Sequence, residues 1–121
     1  MKILSPRLHG YLDYLTVLIF VLAPSLVGLT GVPALLAYTL AGVHLTMTLL
    51  TNFPMGLTKV VPMPLHGWVE RVVGPTLIAL PFLLGFSGDA RALPFYIAMG
   101  VIIIVVGLVT DYSGAAVPQT A

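Results

Sequence analysis

Apolar runs of roughly 20 residues, the length of a helix that crosses the hydrocarbon core, constrain this chain more than any other feature. Only nine of the 121 residues are charged, five basic and four acidic, and 59% are hydrophobic. A soluble domain carries about a quarter charged residues, so too little polar surface is left here to face water. The composition predicts an all-α integral membrane protein with the lipid bilayer as its first partner. Cysteine is absent, which excludes disulfides, thiolate metal sites and covalent c-type haem attachment. A net charge of +1 without a basic run gives no footing for nucleic acid.

Breakers divide the chain into four expected spans. The first runs from Pro6 to about Leu29, with Ser5 as N-cap and Pro6 at the first helical position, where a missing N–H costs nothing. Asp13 interrupts what would otherwise read as a secretory signal, and no small-x-small site follows, so the segment is expected to be mature structure. "TGVP" turns the chain into a second span from Pro33 to about Thr51. "NFPMGLTKVVPMP" is a connection rich in breakers. The third span starts at Pro64 or Leu65 and ends near Phe86; after "SGDAR" the fourth runs from about Pro94 to Tyr112.

"LHGYLD" and "LHGWVE" show that the chain is written twice. An offset of 57 links His9 to His66, and also Gly10 to Gly67, Asp13 to Glu70, Pro24 to Pro81 and Gly28 to Gly85. Past the first turn it drifts, so that Tyr38 matches Tyr96, and "TNF" matches "TDY" with two residues inserted. This internal duplication predicts residues 1–57 and 58–114 as two-helix repeats, with 115–121 as a loose tail. Each repeat holds two spans, so both enter the membrane from one side and are related by a pseudo-two-fold axis along its normal.

The stretches "LAPSLVGLTG" and "LPFLLGFSG", each followed by a second span, resemble the SPW-repeat family of small bacterial membrane proteins. That family carries a Ser-Pro-aromatic motif near the end of a first helix, then a glycine turn and a second helix. Here Ala23 and Leu80 stand at the motif's serine, and Ser25 and Phe82 at its aromatic. The resemblance implies a four-helix membrane protein and no particular activity.

Lys2, Arg7, Lys59 and Arg71 fall on one side of the spans, whereas the other has only Arg91, beside Asp89. The positive-inside bias places both termini and the middle connection in the cytoplasm, and the protein in the cell (inner) membrane.

The repeated His and acid are the candidate site. Residues four apart share a helix face, so His9 lies over Asp13 and His66 over Glu70. Asp13 stands about 10 Å into its helix at 1.5 Å per residue, and His44, on the returning helix, reaches a similar depth. An ionisable group there costs a few kcal/mol and faces a partner inside the bundle.

Three readings follow. In the first, each His-carboxylate pair satisfies itself and the layer joins the helices of a structural or accessory membrane subunit. That subunit is a homo-oligomer or part of a larger complex. In the second, His9, Asp13, His66 and Glu70 bind a divalent metal, with His44 beside them, since imidazole and carboxylate suit Zn, Fe or Mn; haem is a weaker variant. In the third, the layer serves a small proton-linked transporter. No nucleophile context or phosphate-binding loop points to catalysis. Trp68, Tyr11, Tyr14, Phe53 and Tyr112 are expected in an interfacial belt. The small residues Ala37, Ala41, Gly42, Ala98 and Gly100 are expected at close helix contacts.

Overall fold

A computed structural model of the chain describes residues 2–112. The expected tail at 115–121, and the last two residues of the second repeat, lie outside the described residues. Four helices follow one another: α1 (Pro6–Val27), α2 (Gly31–Leu50), α3 (Met63–Leu83) and α4 (Ala92–Val109). Among the described residues there is no strand, only isolated bridges joining Leu4 to Thr110 and Thr51 to Val61. α1, α2 and α4 are long and apolar enough to cross a membrane. α3 is as long, but carries Glu70 and Arg71.

Local chemistry explains the ends. Ser5 Oγ accepts from the backbone N–H of Leu8 at 3.2 Å, which satisfies one orphan donor of the first turn. Gly28 closes α1 at φ 82°, and Gly85 follows α3 at φ 79°, a left-handed conformation that only glycine adopts without steric cost. Asp89 caps the start of α4, accepting from the N–H groups of Arg91 at 2.9 Å and Ala92 at 3.0 Å. These bonds, Ala92 first, hold its carboxyl below the ordinary carboxylate range. α4 therefore begins two residues ahead of Pro94, which sits in the first turn without loss of a hydrogen bond. Helix continues through Pro24 in α1 and through Pro75 and Pro81 in α3.

The helices pack closely as two pairs, α1 with α2 and α3 with α4. Gly74 and Gly100 bring α3 and α4 together: a Cβ on Gly100 would lie 2.6 Å from the carbonyl oxygen of Gly74. Between the pairs, contact is made mostly by side chains. Phe20, Leu77, Tyr96, Met99 and Ile103 form the centre of the core, with Phe20 edge-on to Phe95 at 5.9 Å. Ala37, Ala41 and Gly100 are buried as expected of contact residues, whereas Gly42 and Ala98 are exposed. Tyr38 and Tyr96, matched in sequence, part company in space. Tyr96 is fully buried and donates to the carbonyl of Pro33 at 2.6 Å, while Tyr38 is half exposed.

At the end of the molecule that holds both His-Gly motifs, each pair is tied to the other through its backbone. Ile3 and Leu4 donate to the carbonyl of Val109 at 2.8 and 2.9 Å, and Val60 and Val61 donate to that of Leu50 at 3.0 and 2.8 Å. Asp111 N–H donates to Leu4 and Asn52 N–H to Val61, at 3.1 and 2.7 Å. These crossings hold α1 and α3 side by side where the histidines stand.

Candidate functional site

The glycine after each histidine explains half of the repeated motif. A Cβ on Gly67 would lie 2.7 Å from the Tyr112 ring, and one on Gly10 would collide with Met55 and with Phe53 at 2.8 Å. Each glycine makes room for the aromatic that follows its own pair's second helix, and that aromatic covers the other pair's histidine: Tyr112 lies 5.4 Å from the ring of His9, and Phe53 6.0 Å from that of His66. Phe53 and Tyr112 are therefore buried, at 2% and 6% exposure, and do not belong to an interfacial belt. Packing against the motif, which local spacing does not show, draws them inward. Trp68 and Tyr11 are exposed, and Tyr14 donates to the carbonyl of Met55 at 2.8 Å.

His9, Asp13, His66 and Glu70 are all buried and meet in one layer. Within each helix the i,i+4 contacts form as expected, His9 Nε2 to Asp13 Oδ1 at 3.1 Å and His66 Nε2 to Glu70 Oε1 at 3.4 Å. The pairs do not close on themselves, however. His9 Nε2 lies 3.3 Å from Glu70 Oε2, and His66 Nε2 lies 3.3 Å from Asp13 Oδ2. Each carboxylate thus offers one oxygen to each imidazole, in a ring of four contacts. Self-contained pairs are corrected by the packing of α1 beside α3, which puts each acid within reach of both imidazoles. Arg71 takes no part in pairing His66; its guanidinium lies over Trp68 at 4.8 Å.

Two threonines supply what sequence reasoning missed. His9 Nδ1 is 2.8 Å from Thr110 Oγ1, and His66 Nδ1 is 2.7 Å from Thr51 Oγ1. Each hydroxyl donates its own proton four residues back, Thr110 to Val106 O at 2.7 Å and Thr51 to Met47 O at 2.6 Å. The hydroxyl is then an acceptor towards the ring, so Nδ1 carries hydrogen and Nε2 is the atom turned to the carboxylates. The match of "TNF" with "TDY" was the available signal. A second missed partner is Tyr112, whose hydroxyl donates to Glu70 Oε2 in a short hydrogen bond.

His44 also joins the layer. Its Nε2 is 3.4 Å from Asp13 Oδ1, whereas Thr48 bonds the His44 backbone carbonyl rather than its ring. His44 stands outside the four groups whose ligand atoms lie within 4.8 Å of one another.

A family model described as the SPW repeat domain matches residues 7–110. The chain belongs to the SPW repeat domain family. No curated protein and no solved structure matches it. The match spans all but the first residue of α1 and the whole of the other three helices, and includes His9, Asp13, His44, His66 and Glu70.

The layer's chemistry turns on the Nε2 and carboxylate oxygen atoms that face one another. Nε2 of His9, His44 and His66, with Asp13 Oδ2, make no hydrogen bond of acceptable geometry although oxygen or nitrogen lies within reach. Their nearest polar neighbours are one another, at 3.1–3.4 Å, a set of imidazole and carboxylate donors that one cation can share. Haem does not fit that place: the imidazoles are edge-to-face at 5.4 Å, and Asp13 and Glu70 occupy the ground a porphyrin would need.

Proposed function

We propose that this SPW repeat protein is an integral membrane protein that binds one divalent transition-metal ion between its two helix pairs, through His9, Asp13, His66 and Glu70. The observation that carries the reading is the spacing of the donor atoms. One donor atom from each of the four residues lies within 4.8 Å of the others. The imidazole–carboxylate contacts of 3.1 to 3.4 Å use both oxygens of each acid. They are comparable to the separation of about 3.3–3.6 Å between neighbouring donors around one ion with bonds of about 2.0–2.2 Å. Two neutral imidazoles and two carboxylates balance a dication, which removes the cost of isolated charge at low dielectric. Thr51 and Thr110 act as the outer hydrogen-bond partners that orient metal-bound histidines elsewhere. The donor set suits Zn, Fe or Mn.

The membrane setting rests on the three apolar helices and on their outward faces. Leu26, Leu35, Val72, Leu83 and Leu108 are all more than 60% exposed, which lipid tolerates and water does not. Two parallel repeats about a pseudo-two-fold axis account for the matched crossings at Leu4 and Val61, and for the matched threonines. Lys2, Arg7, Lys59 and Arg71 against Arg91 support an orientation with both termini and the middle connection in the cytoplasm. A structural role is contained in this reading, since an ion between α1 and α3 adds to the backbone crossings and side-chain contacts that join the pairs.

The test is elemental analysis of the protein purified in detergent without chelators. One zinc, iron or manganese ion per chain is expected, lost together with thermal stability in the Asp13→Asn, Glu70→Gln double variant. A metal-free protein whose melting temperature ignores added Zn²⁺, Fe²⁺ and Mn²⁺ would return the layer to simple helix contact.

A further inference from the structure

The layer leaves space beside it. A cavity of about 170 Å³ between α1 and α4 reaches Asp13, His44 and Glu70, and a smaller one of about 60 Å³ between α2 and α3 reaches His44, His66 and Glu70. The larger is otherwise walled by Thr16 and by apolar side chains such as Leu12, Met99 and Ile102. A water molecule takes about 30 Å³ of liquid volume, so a guest of several heavy atoms fits. His44 borders both cavities, its Nε2 buried and without a hydrogen bond.

Resting on the metal reading above, we infer that the site is open towards the α1–α4 cavity. There it takes a small uncharged molecule as an exchangeable ligand, with His44 as that molecule's hydrogen-bond partner. Four protein ligands seal a tetrahedral zinc site, but iron and manganese take higher coordination numbers, so a guest here would occupy a further position on the side of the cavity. A sealed site would have no need of a cavity ending on two of its carboxylates. Charge selects the class of guest. Asp13 and Glu70 already balance a dication, so an anion would bring unmatched charge into an apolar cavity, which is costly. Water or a neutral diatomic brings none. His44 is placed for the role because its Nε2 is 3.4 Å from Asp13 Oδ1, close to the layer yet outside the four-ligand group. Its imidazole therefore meets what binds beside Asp13 rather than completing the ligand set. The matching stretch of α4 is "VIIIVV", so the arrangement exists on one side only.

The experiment loads the full chain anaerobically with Fe²⁺, measures iron per chain, and then adds nitric oxide while recording the paramagnetic resonance of an iron–nitrosyl. The wild type should form the nitrosyl and ignore azide. His44→Ala should keep its iron but bind nitric oxide about tenfold more weakly, the scale of one lost hydrogen bond. Leu12→Trp or, independently, Ile102→Trp should keep iron and lose the nitrosyl by filling the cavity. Full iron without a nitrosyl, whether a lipid chain fills the cavity or the site is sealed, overturns the inference and leaves the metal reading standing. No iron, zinc or manganese bound at all removes both.

Discussion

Thr110 Oγ1 stands 2.8 Å from Nδ1 of His9, 101 residues away in sequence. Thr51 makes the same contact with His66 at 2.7 Å, so each helix pair holds the other's histidine in one tautomer. Thr51→Val and Thr110→Val preserve shape and remove the acceptor. Each is expected to lower metal affinity by about 10–100-fold with the fold intact, and by similar amounts. Competition with a chelator of known affinity measures both; an unchanged affinity in either variant would detach the threonines from the site.

Asp13 and Glu70 share both imidazoles, which makes them energetically coupled. Asp13→Asn and Glu70→Gln should each lower stability in detergent, and the double variant should lose less than the sum. The expected coupling is about 0.5–3 kcal/mol, the range for residues in one network. Strict additivity in thermal unfolding would mean that the two carboxylates serve separate sites.

Gly67 faces the Tyr112 ring, whereas Gly42 faces nothing within 4 Å. Gly67→Ala should therefore destabilise by about 1–3 kcal/mol through overpacking. Gly42→Ala, in an exposed helix interior, should be neutral or stabilising by up to about 1 kcal/mol. Melting temperatures of the two variants side by side decide it, and equal effects would contradict the packing of Tyr112 over the motif.

Asp89 sets a pH dependence of known sign. Hydrogen bonds from Ala92 and Arg91 lower its folded value below the ordinary 3.8, so its contribution to stability is present above that value and lost as the pH falls through the folded one. Asp89→Asn should melt lower than wild type near neutral pH, and the gap should close as the solution becomes more acid than 3.8. A gap that stays constant down the acid limb would place the effect elsewhere.

Topology can be read with reporter fusions at the N-terminus and within the Ser87 to Arg91 turn. The first should report cytoplasm and the second periplasm. The reverse pattern would defeat the charge-based orientation, and the same signal from both would defeat the three spans expected between them.

Much was written locally. Apolar lengths and breakers mark four helices, with Ser5 and Pro6 at the start of the first, because capping depends on a few neighbouring residues. The i,i+4 spacing put His9 over Asp13 and His66 over Glu70, and the offset of 57 singled them out from chance occurrences. What local spacing could not supply was the wiring between helices. That Asp13 also meets His66 and His44, that Glu70 meets His9 and Tyr112, and that Thr110 reaches His9 all depend on how α1 lies against α3 and where the chain re-enters after α4. An aromatic at a span end satisfies an interfacial belt and a buried contact equally well by composition. Only the room left by Gly10 and Gly67 decided that Phe53 and Tyr112 turn inward, closing the layer from the end where the chain crosses over.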